Sequence, residues 1–114
     1  MNINAECYGH AVIFNLKGEL TEDSLDAFKQ AIEHNVRDGK DVVDVVLNME
    51  NVPFLDSAAL EYLLELQEEL AQRLGQVKLA KCDENVMKIL EITRLEASFE
   101  RFQDITEAVK AMQG

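Results

Sequence analysis

The chain has 114 residues, 47% of them hydrophobic and 29% charged, which is the size and composition of one globular domain and not of two domains or a disordered chain. With 22 acidic residues against 11 basic ones the formal charge is −11, so a phosphate backbone would be repelled and nucleic acid is excluded as a partner class. The N-terminal MNINAECYGHAVIF lacks a basic stretch followed by an apolar one, and no run of about 18 apolar residues occurs, so neither export nor membrane insertion is expected and the cytoplasm is the expected location.

Residues 3–8 and 10–17 are β-rich runs divided at Gly9, with Val12, Phe14 and Leu16 alternating with smaller or polar neighbours; they predict a hairpin or two adjacent strands. Gly18 ends the second run. Thr21 as N-cap, with Glu22 and Asp23 in the first turn, opens a helix over 22–38 on which Leu25, Phe28, Ile32 and Val36 recur, with Gly39 as its stop. The run 42–49, VVDVVLNM, is apolar with little alternation and predicts a central strand covered on both faces, Asp44 lying at an exposed strand face or against a cation. Pro53 bars the strand from continuing, which makes Asn48 to Leu55 a loop.

A second helix is predicted over 57–73, with Leu60, Leu63, Leu64, Ala71 and Leu74 on its core stripe and Gly75 just past its end. The strand 77–82, VKLAKC, follows, and Asp83 caps a third helix carrying Val86, Ile89 and Leu90. Phe99 to Phe102 is a last short strand, and Asp104 with Glu107 reads as a capping box for a terminal helix with Ile105, Ala108, Val109 and Met112. The alternation predicts a single α/β domain over 1–114, with a mixed, mostly parallel sheet of four to five strands and about four helices. Cys7 and Cys82 lack C-x-x-C spacing and read as buried small hydrophobes, while His10 and His34 lack the clustering a metal needs and read as surface or half-buried residues. No metal or cofactor is expected.

In open α/β sheets the loops after the carboxyl ends of strands carry function. Two stand out, Gly18-Glu19-Leu20-Thr21 and the stretch from Asn51 through Phe54 to Asp56-Ser57, the latter placing Asp and Ser where helix N–H groups favour negative charge. The same pair could serve merely as an N-cap. Ala59, Tyr62, Leu66 and Leu70 form a stripe beside the core stripe of the second helix, either a partner surface or the margin of a broad core face. Glu61, Glu65, Glu68 and Glu69 flank it as a solvated face; should they border an interface, the partner there is basic.

These residues resemble the STAS domain of anti-sigma-factor antagonists. The resemblance spans nearly the whole chain, through the Gly18-Glu19-Leu20 turn, VVLNMENVPFLDSAAL from Val45 to Leu60, and the Leu74-Gly75 stop. It implies a phospho-switchable regulatory domain in bacterial transcription signalling. Such a domain binds an anti-sigma factor that is also its serine kinase while Ser57 is unphosphorylated, with a phosphatase as second partner. The contact residues it implies are Gly18, Glu19, Leu20, Phe54, Asp56, Ser57, Ala58, Ala59 and Tyr62. In the family, Ser, Thr or Ala and then Gly follow the switch Ser. Here Ala58 and Ala59 follow, and the extra methyl of Ala59 is expected to obstruct a partner backbone.

An enzyme is the contrasting class, but no G-x-S-x-G, P-loop or dinucleotide fingerprint is present and Asp56-Ser57 has no evident base. A receiver domain fails because Asn48 occupies the acceptor position and no acidic pair follows the first strand to hold Mg²⁺. The remaining alternative is a constitutive cytoplasmic STAS subunit of a membrane-associated complex such as a lipid-transport ABC system. Neighbouring kinase, phosphatase or transporter genes would tell these apart.

Overall fold

The computed structural model describes residues 1–37 and 44–113. Five strands, β1 (Asn2–Tyr8), β2 (Ala11–Lys17), β3 (Asp44–Asn51), β4 (Gln76–Ala80) and β5 (Glu100–Phe102), lie side by side in sequence order. β1 pairs antiparallel with β2 through the two-residue turn Gly9-His10, and Gly9 takes the positive φ of 59° that such a turn demands. β2 to β5 are parallel. Helices α1 (Glu22–Ile32), α2 (Ser57–Ala71) and α3 (Glu84–Ile92) form the crossovers, and α4 (Ile105–Gln113) follows β5. Because each crossover moves one place in the same direction, right-handed connections put α1, α2 and α3 on one face. Val12, Phe14, Leu16, Val45, Leu47, Met49, Val77 and Leu79 supply the sheet side of that core.

The alternate residues Ile13, Val46 and Ala80 face the other way and pack with Ala108 of α4. β3 is thus central and apolar on both faces, as its sequence predicts. Lys78 also faces α4; its buried ammonium lies 3.5 Å from Glu100 Oε1 and 5.5 Å from the centre of the Phe102 ring. Asp44 is not on an open face: half-buried at the start of β3, it accepts the N–H of Gln76 at 3.1 Å through Oδ1, and among the described residues no cation pairs with it.

Several local expectations change. The first helix passes after Ile32 into a π-helical turn, Glu33–Arg37, and the predicted stop Gly39, together with Val42 and Val43, lies outside the described residues. β3 runs on to Asn51, with a register shift against β2 between Asn15 and Lys17, so the loop is shorter than Asn48 to Leu55. In α2 the stripe Ala59, Tyr62, Leu66 and Leu70 is core, whereas Ala71 and Leu74 are exposed. Cys7 is exposed because β1 is an edge strand with little helix over it, and Cys82 is half-buried, its thiol pushed up to about 11 by burial.

The end of α2 explains Leu74. The N–H of Gly75 reaches the carbonyl of Leu70 and that of Leu74 the carbonyl of Ala71, the Schellman pattern, with Leu74 in the left-handed position at φ 63°. The glycine expected to terminate the helix stands one residue later. Leu74→Gly should therefore raise stability by about 0.5–1 kcal/mol in urea unfolding, since a 95% exposed side chain gives up nothing and left-handed strain is relieved. Leu47→Ala, at a fully buried position on β3, should lower it by about 2–5 kcal/mol.

Candidate functional site

The carboxyl ends of β2 and β3 are joined beyond the sheet by their own loops. Gly18, at φ 119°, donates its N–H to Asn51 O at 3.0 Å, where an added Cβ would also touch Met1. Leu20 donates to Phe54 O at 3.0 Å and accepts from the N–H of Asp56 at 3.3 Å, so Leu20 and Leu55 form a parallel bridge with both side chains buried. The two loops singled out in the sequence are therefore one unit.

Asp56 closes that unit. As N-cap of α2 its Oδ1 accepts the N–H of Ala59 at 2.9 Å, while Oδ2 accepts the N–H of Glu22, the first residue of α1, at 2.8 Å. These bonds, that of Ala59 foremost and that of Glu22 next, hold the Asp56 carboxyl below its ordinary value. Thr21 does occupy the N-cap position of α1, but the start of that helix is tied by other side chains. Ser24 Oγ accepts the N–H of Thr21 at 3.0 Å and donates to Glu19 O at 2.8 Å, and Asp56 takes the next N–H.

Ser57 is the first residue of α2 and is exposed. Capping falls to Asp56, which leaves the Ser57 hydroxyl at the surface. Phe54 is 41% exposed beside it, and Glu19 is exposed across the junction. Gly18 and Ala58 are half-buried, and Tyr62 is buried all but its edge. Leu20 and Ala59 are wholly buried. The expectation that the Ala59 methyl stands in a partner's way is overturned: it packs in the core beneath α2.

Between α1 and α2, leading away from Ser57, runs a groove of about 360 Å³ lined by Glu22, Leu25, Asp26, Lys29, Ala58, Glu61, Tyr62 and Glu65. Four carboxylates stand on it against one ammonium, and that ammonium is occupied, Lys29 Nζ lying 5.2 Å from the centre of the Tyr62 ring. Phe28 packs edge-on to Tyr62 beneath the groove, with ring centres 5.8 Å apart. The α1 side of this groove was missed from the sequence, although Glu22, Asp26 and Lys29 recur at helical spacing and so mark one face. The bond from Glu22 to Asp56 spans 34 residues and leaves no local trace. Among the described residues no set of His, Cys, Asp or Glu is placed to hold a metal ion, and no helix is long and apolar enough to cross a membrane.

The model of the STAS domain family matches residues 2–108. The chain belongs to the STAS family. A STAS-domain containing protein of Pseudomonas aeruginosa is 39% identical over 54 residues, which is 47% of this chain and 54% of that protein, so the match spans about half the length of this curated relative. The unphosphorylated form of the anti-sigma factor antagonist SpoIIAA superposes with a TM-score of 0.85 at 21% identity, covering 99% of this chain and 97% of that one. The phosphorylated form of SpoIIAA, described as a Bacillus cell fate determinant, gives 0.75 at 20% identity over 97% and 99%. A sulfate transporter family protein of Wolinella succinogenes also superposes at 0.75, with 19% identity over 91% and 85%. The STAS fold is thus shared by anti-sigma factor antagonists and transporter-family proteins, and at these identities the likeness speaks for the fold.

The Asp56 clamp has a pH signature. Its carboxyl binds a proton less readily folded than unfolded, so its stabilising contribution is full above the ordinary value of 3.8 and is lost as pH falls through the depressed folded value. In acid titrations followed by circular dichroism, the stability gap between the parent and Asp56→Asn should be constant near neutrality and close below about pH 4. Asp56→Ala should cost at least the ~0.5–2 kcal/mol of a lost N-cap, because two helix starts lose their acceptor.

Proposed function

We propose that this STAS domain is a regulatory protein-binding module of the anti-sigma-factor-antagonist type. In this reading it binds an anti-sigma factor that is also a serine kinase while Ser57 is unmodified, is released when Ser57 is phosphorylated, and is restored by a phosphatase. The observation that carries the reading is the division of labour at the start of α2: Asp56 satisfies the helix and Ser57 is exposed. A phosphate on Ser57 would bring about −1.5 to −2 charges without displacing any helix cap. Its oxygens can take the first N–H groups of α2 locally. Asp56 precedes it in the chain, and Glu22 and Glu61 line the groove that begins at the neighbouring Ala58, so the modification adds charge to an already acidic surface and changes what that surface repels more than whether the domain folds.

The partner reads the rim of this site. Glu19, Phe54, Ser57 and Ala58 offer surface, Gly18, Asp56 and Tyr62 contribute edges, and Leu20 and Ala59 act from below by holding the rim in place. The acidic groove between α1 and α2 fits a partner whose matching surface is basic. An Ala59 methyl standing in a partner's way would make constitutive membership of a transporter-associated complex more credible, and the burial of that methyl removes this support.

Affinity capture from the native cell with the parent chain and with Ser57→Glu, read by mass spectrometry, tests the reading. The parent should retain a serine kinase of the anti-sigma type, and Ser57→Glu should bind it about tenfold more weakly or worse. Ser57→Ala should bind like the parent, and both variants should unfold within about 0.5 kcal/mol of it, as surface substitutions do. Equal capture by parent and Ser57→Glu would reduce Ser57 to an ordinary helix-start residue.

A further inference from the structure

The sheet has two edges of unequal kind. β5 offers three residues, whereas β1 offers seven, and among the described residues no strand pairs with the outer side of β1. Natural edge strands are commonly guarded by lysines, proline or a bulge. β1 has none of these: its sequence is NINAECY, its register with β2 is unbroken from Asn2 to Tyr8, and Glu6 is its one charge. Every residue of it but Ile3 is exposed.

The turn fixes which backbone groups face outward. A two-residue hairpin loop closes on a hydrogen-bonded pair, here Tyr8 and Ala11, so Tyr8, Glu6, Asn4 and Asn2 spend their N–H and C=O groups on β2. Ile3, Ala5 and Cys7 direct theirs away from the sheet. A second antiparallel strand must therefore match odd residues to odd residues. We propose that β1 is a self-association edge, at which two copies of this chain pair antiparallel about a two-fold axis at Ala5 and join their sheets into one of ten strands.

The sequence of the strand is self-complementary in that register. Ala5 faces the second copy's Ala5, and Ile3 faces Cys7 twice, which makes an apolar strip on the α1 side. On the other side Glu6 faces Asn4 and Tyr8 faces Asn2, so no charge meets its like. The pairing shifted so that Ala5 faces Cys7 would set Glu6 directly against Glu6, which is destabilising, and any shift shortens the seven-residue ladder. Seven paired residues make a small interface, so the dimer is weak and concentration-dependent. Each copy carries a formal −11, so added salt should strengthen it.

The register gives a sharp test. Two-fold related Ala5 Cα atoms lie about 5.5 Å apart as a hydrogen-bonded pair, inside the disulfide range, whereas the two Cys7 positions stand about 13 Å apart along the strands. Mild oxidation of Ala5→Cys in a Cys7→Ala background should give a covalent dimer, and neither the parent nor Cys7→Ala alone should do so. Sedimentation equilibrium of the parent should show a weight-average mass rising from 12.9 kDa towards twice that with concentration and with salt. Ala5→Pro removes one outward N–H and no β1–β2 bond, so it should abolish the rise while leaving the circular dichroism spectrum unchanged. A parent that stays monomeric up to about 1 mM, or a dimer that crosslinks through Cys7 and not through position 5, would overturn the proposal.

Discussion

One carboxylate holds together the end of this molecule that carries Ser57. The two oxygens of Asp56 accept N–H groups from the first turns of two different helices, that of Glu22 at the start of α1 and that of Ala59, the third residue of α2, which are far apart in sequence. Each helix start carries unpaired donors and partial positive charge, and two such ends side by side would repel each other. A single negative group between them satisfies donors on both sides and turns the repulsion into attraction. The bridge between Leu20 and Leu55 brings the loops to the distance at which Asp56 can span them, and the buried side chains of those two residues anchor that distance in the core. The groove between α1 and α2 and the setting of Ser57 both follow from this clamp.

The clamp also determines how an added charge at Ser57 would be felt. Two of the donors at this junction, the N–H groups of Ala59 and Glu22, are already engaged by Asp56. A phosphate is left with the remaining N–H groups of the first turn of α2, beside an acidic groove that begins at Ala58. Local accommodation and like-charge repulsion then act together, so the proposed switch alters the surface presented to a partner while the core beneath, from Ala59 to Leu63, is undisturbed.

Much of this was legible because periodicity reports burial directly. The unalternating run at Val45 to Leu47 gave a strand apolar on both faces, and the caps at Asp56, Asp83 and Asp104 each bond the N–H groups their spacing implies. What was not legible depended on which neighbour an element acquired. Cys7 looks like a core residue by type and is exposed because β1 is the edge of the sheet, with no strand among the described residues on its outer side. Tyr62, Leu66 and Leu70 looked marginal and are core because α2 packs against both the sheet and α1. Asp44 looked misplaced in an apolar run and is satisfied by a backbone N–H of the next parallel strand, a partner 32 residues away. Gly75 pointed to the right helix end and the wrong residue, because the Schellman turn set its left-handed position on Leu74.

The antiparallel direction of β1 relates the two surfaces of this molecule to each other. Asn2 lies beside Lys17 at the end of the sheet that carries the Gly18 loop, and Tyr8 lies at the opposite end. A two-fold axis at Ala5 turns one copy end for end against the other, so the two Ser57 sites of such a pair would point in opposite directions. Neither would be covered by the second copy, because the shared edge lies along the side of the sheet and the sites lie at its ends. The pairing proposed through β1 and the partner binding proposed at Ser57 then draw on separate surfaces and need not compete. An associated pair would present two of the proposed switch sites to two partner molecules at once, so a partner that is itself dimeric would have to bridge sites facing apart or engage one copy at a time.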